Sequence, residues 1–314
     1  MILTVTLNAA LDVTYRLGRL RPHASNRVRE TAARAGGKGI NVSRVLHTLG
    51  HDTVVTGLAG GPTGEALRRD LAQAGITDRL VPIAGETRRT VAVVDEDLGD
   101  TTILLEPGPV VTAAEWALFL DRYGELVSRA EAVVLSGSLP GGMPADAYAA
   151  LIRLARAHRV PAVLDAAGEA LRAGLAEEPA VVKPNAHELA EASGTGDPRA
   201  GAEALRAAGA RAVVASLGPA GLIACTLQGS WAARPPEAIA GNPAGAGDAA
   251  VAALALGLVA GTPWPERLTR AVALSAAAVA APLAGDFDPA VHRRLLGQAT
   301  TEPLPARTGE SPCR

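Results

Sequence analysis

Short apolar runs rich in Val, Ile and Leu alternate along the chain with longer stretches whose apolar residues recur every three or four positions. Residues 2–7 (ILTVTL) show the first pattern and read as a strand. In 39–50 (GINVSRVLHTLG), Ile40, Val42, Val45, Leu46 and Leu49 fall on helical spacing and Gly50 supplies a stop. The rhythm continues with a strand at 53–60 (TVVTGLAG) and a helix at 63–75 (TGEALRRDLAQAG). Further strands are predicted at 132–137 (AVVLSG), 161–166 (PAVLDA), 180–183 (AVVK) and 211–218 (RAVVASLG), with helical runs between them. Strands that are apolar at nearly every position are buried on both faces. Their alternation with helices predicts an α/β fold, a three-layer α/β/α core around a mostly parallel sheet.

Two stretches depart from this rhythm. Residues 11–35 and 87–106 alternate apolar and polar positions as half-exposed strands do, and DEDLGD (95–100) has the composition of a hairpin tip. They predict a small β-sheet lid standing off a core made of 1–10, 36–86 and 107–298. Residues 299–314 contain three prolines and few large apolar side chains, and are expected to be a disordered tail. A lid with one apolar face suggests a homodimer formed through it.

Composition narrows the function classes. The chain has 314 residues, 48% of them hydrophobic, which is enough for one large domain or a domain with a small appendage. Aromatics are only 3%, so the core must be built from Ala, Val and Leu. The net charge of -2 offers no global field for nucleic acid or an anionic membrane, so neither is expected as a partner. An anionic ligand must be held by a few local cations. Cys225 and Cys313 make no disulfide framework, and the apolar run 249–261 is too short to span a bilayer. A cytoplasmic protein is the expectation.

Several local patterns can carry chemistry, and each has a plainer reading. AGGKGIN (35–41) places glycines and a lysine at a helix start, where backbone N–H groups can face an anion; it also reads as a flexible turn. In KPNAHE (183–188), Asn185 and Glu188 have capping-box spacing, which is compatible with an oxygen site beside phosphates. SLGPAG (216–221) reads as a hairpin turn or as a nucleotide platform. GAGDAA (245–250) matches the weak dinucleotide pattern G-x-G-x-x-A but lacks the strand that should precede it. The plain reading of Asp248 is a first-turn acid favoured by the helix dipole, by about 0.3–1 kcal/mol. A nicotinamide-dependent oxidoreductase and a non-catalytic sugar-phosphate sensor remain alternatives at this level.

Taken together, TLNAALD (6–12), NRV (26–28), GGKGINVSRVL (36–46), TR (87–88), EPGP (106–109), SGSLP (136–140), KPNAHE, SLGPAG and NPAGAGDA (242–249) resemble the ribokinase-like carbohydrate kinases of the pfkB type. Within that family the resemblance is greatest to the 1-phosphofructokinase and tagatose-6-phosphate kinase branch. It implies a nine-strand-type core with a β-lid and ATP-dependent transfer to a sugar hydroxyl. By that resemblance Asp12, Gly36, Gly37 and Asn41 hold the sugar and Asp248 is the general base. The backbone through Gly245, Ala246 and Gly247 is the anion hole for the moving phosphoryl group. Lys183, Asn185, Ser216, Gly218 and Gly221 line the ATP site, and Glu188 organises Mg²⁺ through water. A monovalent cation such as K⁺ is compatible with the family, but AAPLAGDFD (280–288) does not place its ligands. The helix start is expected to keep Asp248 ionised and so a weak base.

The cations suggest a substrate that is already phosphorylated. Lys38, Arg88, Arg27 and Ser138 can together hold a phosphate, with Arg27 alternatively steadying the lid or reaching a neighbouring subunit. Fructose 1-phosphate is the first expectation, with tagatose 6-phosphate and fructose 6-phosphate behind it. The chain departs from the family pattern at Ala9, where a proline is frequent, at Thr90, where Asn is common, and at Asn242-Pro243, where Asp-Thr is frequent.

Overall fold

The computed structural model describes residues 1–305. The chain order begins β1 (Ile2–Thr6), β2 (Ala10–Leu17), β3 (Glu30–Gly36), α1 (Lys38–Thr48), β4 (Thr53–Ala59), α2 (Gly61–Gln73), β5 (Thr77–Asp78), β6 (Val81–Pro82), β7 (Arg88–Asp95) and β8 (Asp100–Leu105). It continues with α3 (Ala113–Val127), β9 (Ala132–Ser136), α4 (Ala147–Ala157), β10 (Ala162–Asp165), α5 (Gly168–Leu175), β11 (Val181–Val182), α6 (Ala186–Ser193) and α7 (Pro198–Ala207). The last elements are β12 (Ala212–Ser216), β13 (Leu222–Thr226), β14 (Gly229–Arg234), α8 (Ala246–Val259), α9 (Trp264–Val279), α10 (Pro289–Leu296) and β15 (Thr300–Pro303).

The main sheet has the order β15-β14-β13-β12-β11-β10-β9-β1-β4-β5, with β6 also on β4. It is parallel from β12 to β5, and antiparallel from β12 out to β15. Alternate residues of the central strands feed two cores. Leu3, Val5, Val133, Leu135 and Leu164 pack towards α3, α4, α5 and α7. Ile2, Val134, Val163 and Val181 pack towards α1, α8 and α9. A sheet covered on both faces is the three-layer arrangement that continuous apolar strands require.

Two details differ from the sequence expectation. The sheet has eleven strands rather than nine. The tail, expected to be disordered from 299, contributes β15, which pairs with β14 while Leu304 packs onto the core. The prolines that argued against order are tolerated because β15 is an edge strand, where one missing N–H costs no ladder bond. The rest of that expectation, 306–314 with Cys313, lies outside the described residues.

The segments that broke the rhythm form a separate four-stranded sheet, β3-β2-β7-β8. β2 is parallel to β7 and antiparallel to β3, which aligns Asp12 with both Arg34 and Thr90. The hairpin tip falls at 95–100 as expected, closed by Leu98 N–H on the Asp95 carboxylate. β8 is exposed along its whole length, including Ile103, Leu104 and Leu105.

Candidate active site

The parallel strands end on one edge, and the chemistry collects there. From β1 the chain builds outward through β4 and β5, then crosses back to lay β9 on the other side of β1. Such a reversal leaves a crevice outside the carboxyl ends of the strands. A hydrogen bond from Asn8 Nδ2 to Ser138 Oγ (3.0 Å) spans it. Ser136, Asp165, Lys183 and Ser216 stand at the ends of neighbouring strands, and the amino ends of α1 and α8 close the crevice.

The start of α8 is shaped for an anion. Gly245 caps it in the left-handed conformation (φ 86°), and a Cβ there would lie 2.9 Å from the backbone of Ala284 and Gly285. Only glycine fits this position without strain. The N–H groups of the first turn have no partner within the helix; that of Ala246 donates to the carbonyl of Pro243 (3.2 Å), and Gly247 and Asp248 line the cavity beyond it. Lys183 comes close behind: a Cβ on Gly247 would sit 3.4 Å from its Nζ.

Asp248 lies in that first turn, buried, and accepts a hydrogen bond from Asn41 Nδ2 (2.8 Å). Burial pushes its carboxyl up to about 7, helped by the nearby negative charge of Asp165 and opposed by Asn41, Lys38 and Lys183. The sequence argument weighed only the helix dipole and expected an ionised, weak base. Desolvation and a second carboxylate outweigh the dipole, and leave a group that can take up a proton near neutral pH.

That second carboxylate was not singled out in the sequence. Asp165 ends β10 fully buried, accepts from Ser136 Oγ (2.8 Å), and lies 3.3 Å from Lys38 Nζ and 3.4 Å from Lys183 Nζ. Burial alone would raise its carboxyl; Lys183 and then Lys38 overcome this and hold it below the usual carboxylate range. The available signal was an acid closing an otherwise apolar strand, which in a parallel sheet points to the functional edge. Lys38 also lies 3.9 Å from Glu188. Burial would lower its ammonium, but Asp165, Glu188 and Asp248 together raise it.

Two cavities meet at Lys38 and Glu188, which line both. The smaller, about 480 Å³, is lined by Asn8, Gly37, Arg88, Ser138 and Glu169 among others. Arg88 is half-buried and donates from Nε to the carbonyl of Asn8 (3.3 Å). Beside it, burial lifts the Asp12 carboxyl above its usual range, against a Thr90 hydrogen bond and the charges of Arg88, Arg34 and Arg44. Gly36 is required there, because a Cβ would fall 2.0 Å from Asp12 Oδ2. Arg27 is not brought to this cavity: it lies in the exposed loop between β2 and β3 and lines neither pocket.

The larger cavity, about 780 Å³, contains Asn41, Lys183, Asn185, Ser216, Gly218, Gly221 and the 243–248 turn. Its apolar wall comes from Val272, Ala276 and Val279 of α9 and from Ile239, none of which a local motif marks. Asn185 and Glu188 form the complete capping box of α6, with bonds of 2.9 Å and 2.8 Å, so the plain reading of that spacing is realised. Glu188 still directs its other oxygen to Lys38 at the junction of the cavities.

The profile of the pfkB family carbohydrate kinases matches residues 5–290. The chain belongs to this family. It is an ATP-dependent sugar kinase, with the ribokinase-like fold. Its backbone is similar to phosphofructokinase-2 from Escherichia coli in complex with potassium, at a TM-score of 0.90 and 29% identity over 95% of this chain and 98% of that one. The same enzyme in complex with fructose-6-phosphate gives a TM-score of 0.87, again at 29% identity and over 95% and 98% of the two chains. A possible 1-phosphofructokinase from Thermotoga maritima matches at 0.84 and 29% identity, over 97% of this pfkB kinase and 100% of that chain. The family membership removes the dinucleotide reading of 245–250. Among the described residues of the kinase, no helix is long and apolar enough to cross a membrane.

Proposed function

We propose that this kinase phosphorylates a sugar that already carries a phosphate, with fructose 1-phosphate as first substrate. The observation that carries the reading is the placement of Arg88 and Asp248 at different parts of one crevice, with Lys38 between the two cavities. A phosphosugar lying along the smaller cavity meets Arg88 and Ser138 with its phosphate and presents a hydroxyl to Asp248. Asp12, Gly36, Gly37 and Asn41 border the sugar. Fructose 6-phosphate is the second reading, favoured by the fructose-6-phosphate complex of the similar Escherichia coli enzyme; tagatose 6-phosphate is the third.

In the proposed reaction the ionised Asp248 accepts the hydroxyl proton as that oxygen attacks the γ-phosphorus of ATP. The N–H groups of the Gly245–Ala246–Gly247 turn, with Lys38 and Lys183, face the negative charge that builds on the transferring group. Lys183, Asn185, Ser216, Gly218 and Gly221 border the nucleotide. Mg²⁺ would be held through water by Glu188, which stands where the two cavities meet. Glu188 offers a carboxylate oxygen beside the phosphates, which suits a hard and largely hydrated cation. When bound, that ion neutralises the β and γ oxygens. A requirement for K⁺ is tested by assay in K⁺ against Na⁺.

We further propose a homodimer through the small sheet, whose edge strand β8 leaves Ile103 and Leu105 on one face and Leu104 on the other more than half exposed. In that assembly Arg27 reaches the neighbouring protomer's sugar rather than its own. An ATP-coupled screen over fructose 1-phosphate, fructose 6-phosphate, tagatose 6-phosphate, fructose and adenosine tests the substrate reading. Turnover of the unphosphorylated compounds alone would overturn it.

A further inference from the structure

A third cavity, about 350 Å³, opens at the opposite edge of the main sheet. Pro161 and Ala162 stand there at the amino end of β10, Pro179 and Ala180 just before β11, and Arg211 just before β12. Asp165, Lys183 and Ser216 stand at the carboxyl ends of those same strands. The cavity is therefore separated from the active site by the length of the sheet.

Its charge is unbalanced. Glu177 is already held by two guanidinium groups, 2.7 Å from Arg153 and 3.0 Å from Arg156. Glu178 meets Arg211 only at 3.7 Å. Arg159 lines the cavity with no carboxylate partner among the described residues. Three arginines, Arg156, Arg159 and Arg211, thus line the cavity against two glutamates around an apolar floor.

The backbone carries an independent mark. Among the described residues only His23, Arg159 and Glu178 have positive φ without being glycine, and two of these three line this cavity. α4 ends with Arg159 N–H on Arg156 O and Val160 N–H on Ala155 O, each at 2.9 Å. α1 and α2 close with the same pair of bonds, but with Gly50 and Gly75 at the left-handed position. That position favours glycine because an L side chain crowds the backbone. In α4 the less favoured residue stands there and projects a guanidinium at the cavity. Strain held by two charged residues on one concavity points to a ligand.

We propose that this cavity binds a small phosphate monoester, with Arg159 and Arg211 as its main contacts. Guanidinium forks match phosphate oxygens in pairs. The volume lies at the lower end of the range for small-molecule pockets, and the floor of Ile152, Val160 and Pro179 suits a short carbon skeleton.

The test is calorimetric titration of the full chain with glycerol 3-phosphate, with and without a saturating bisubstrate analogue, adenosine joined through a polyphosphate chain to the sugar hydroxyl, which fills the catalytic crevice and carries no phosphate monoester. Binding that persists when the catalytic crevice is filled is expected, and Arg159→Gly and Arg211→Ala should each weaken it at least tenfold while leaving kcat and KM unchanged. Arg159→Gly installs the residue the helix stop prefers, so its melting temperature should equal or exceed that of the unsubstituted protein. The loss is then not unfolding. Absence of binding with the crevice filled, or the same affinity in both variants, overturns the proposal.

Discussion

Replacing Asp248 with asparagine separates its proposed role as a base from its effect as a buried charge. Its carboxyl moves from an ordinary value of 3.8 to about 7 in the fold. The folded state therefore binds this proton more tightly than the unfolded chain does. The stability that protonated Asp248 contributes is complete below 3.8, and falls as pH rises until it is lost above 7. Each pH unit in that window costs about 1.4 kcal/mol, and the full shift about 4 kcal/mol. An asparagine has the shape of the protonated acid and never ionises. It still accepts from Asn41, as the protonated acid does, and the charge-assisted bond of the ionised form is already contained in the net shift to about 7. Asp248→Asn should thus be close to the parent in stability at pH 4 and below, and about 4 kcal/mol more stable at pH 8. Denaturant midpoints across that range, with kcat measured in parallel, check this. Turnover should fall about a hundredfold or more with little change in ATP affinity, and kcat/KM of the parent should climb with pH through about 7 and then level off. A stability difference that does not change with pH, or near-normal turnover, would refute the reasoning.

Asp165→Asn removes the charge that helps hold Asp248 up and leaves Lys38 and Lys183 without their buried partner; the acid limb of the kcat/KM profile should move to lower pH, and stability should fall by about 3–5 kcal/mol, read by denaturant titration. Gly245→Ala forces a side chain into a left-handed position and against the 284–285 backbone, so kcat should drop at least a hundredfold with the melting curve still cooperative. Arg88→Ala should raise KM for the phosphosugar at least tenfold with a small effect on kcat, while KM for ATP stays as it was.

What could be read from the sequence was what is local in it. The strands 132–137 and 161–166 declared themselves because both faces are buried, and the Asn185–Glu188 cap because its partners are three residues apart. The glycine-rich start of α8 could be read because its glycines, helix start and acid are contiguous. β15 could not, since its order depends on finding the open edge of β14. Arg27 was assigned to the substrate on its charge and its NRV motif, with the lid or a neighbouring subunit as alternatives, and the loop that carries it keeps it outside both cavities of its own chain.

The deeper gap concerns Asp248. A dipole is a local property of one helix, and by itself it predicts a permanently ionised acid. The properties that matter for a base are burial and the field of Asp165, which arrives on a different strand with Lys38 and Lys183 attached. The two acids share one pair of lysines but not equally. Asp165 has both within 3.4 Å and stays ionised, whereas Asp248 has the neutral Asn41 as its hydrogen-bond donor and is driven up. One site thus holds a fixed counter-charge and a titrating carboxyl, two buried acids distinguished by the charges and donors that reach them. Sequence names both residues as Asp; the difference in proton affinity exists only once β10, β11, α1 and α8 converge.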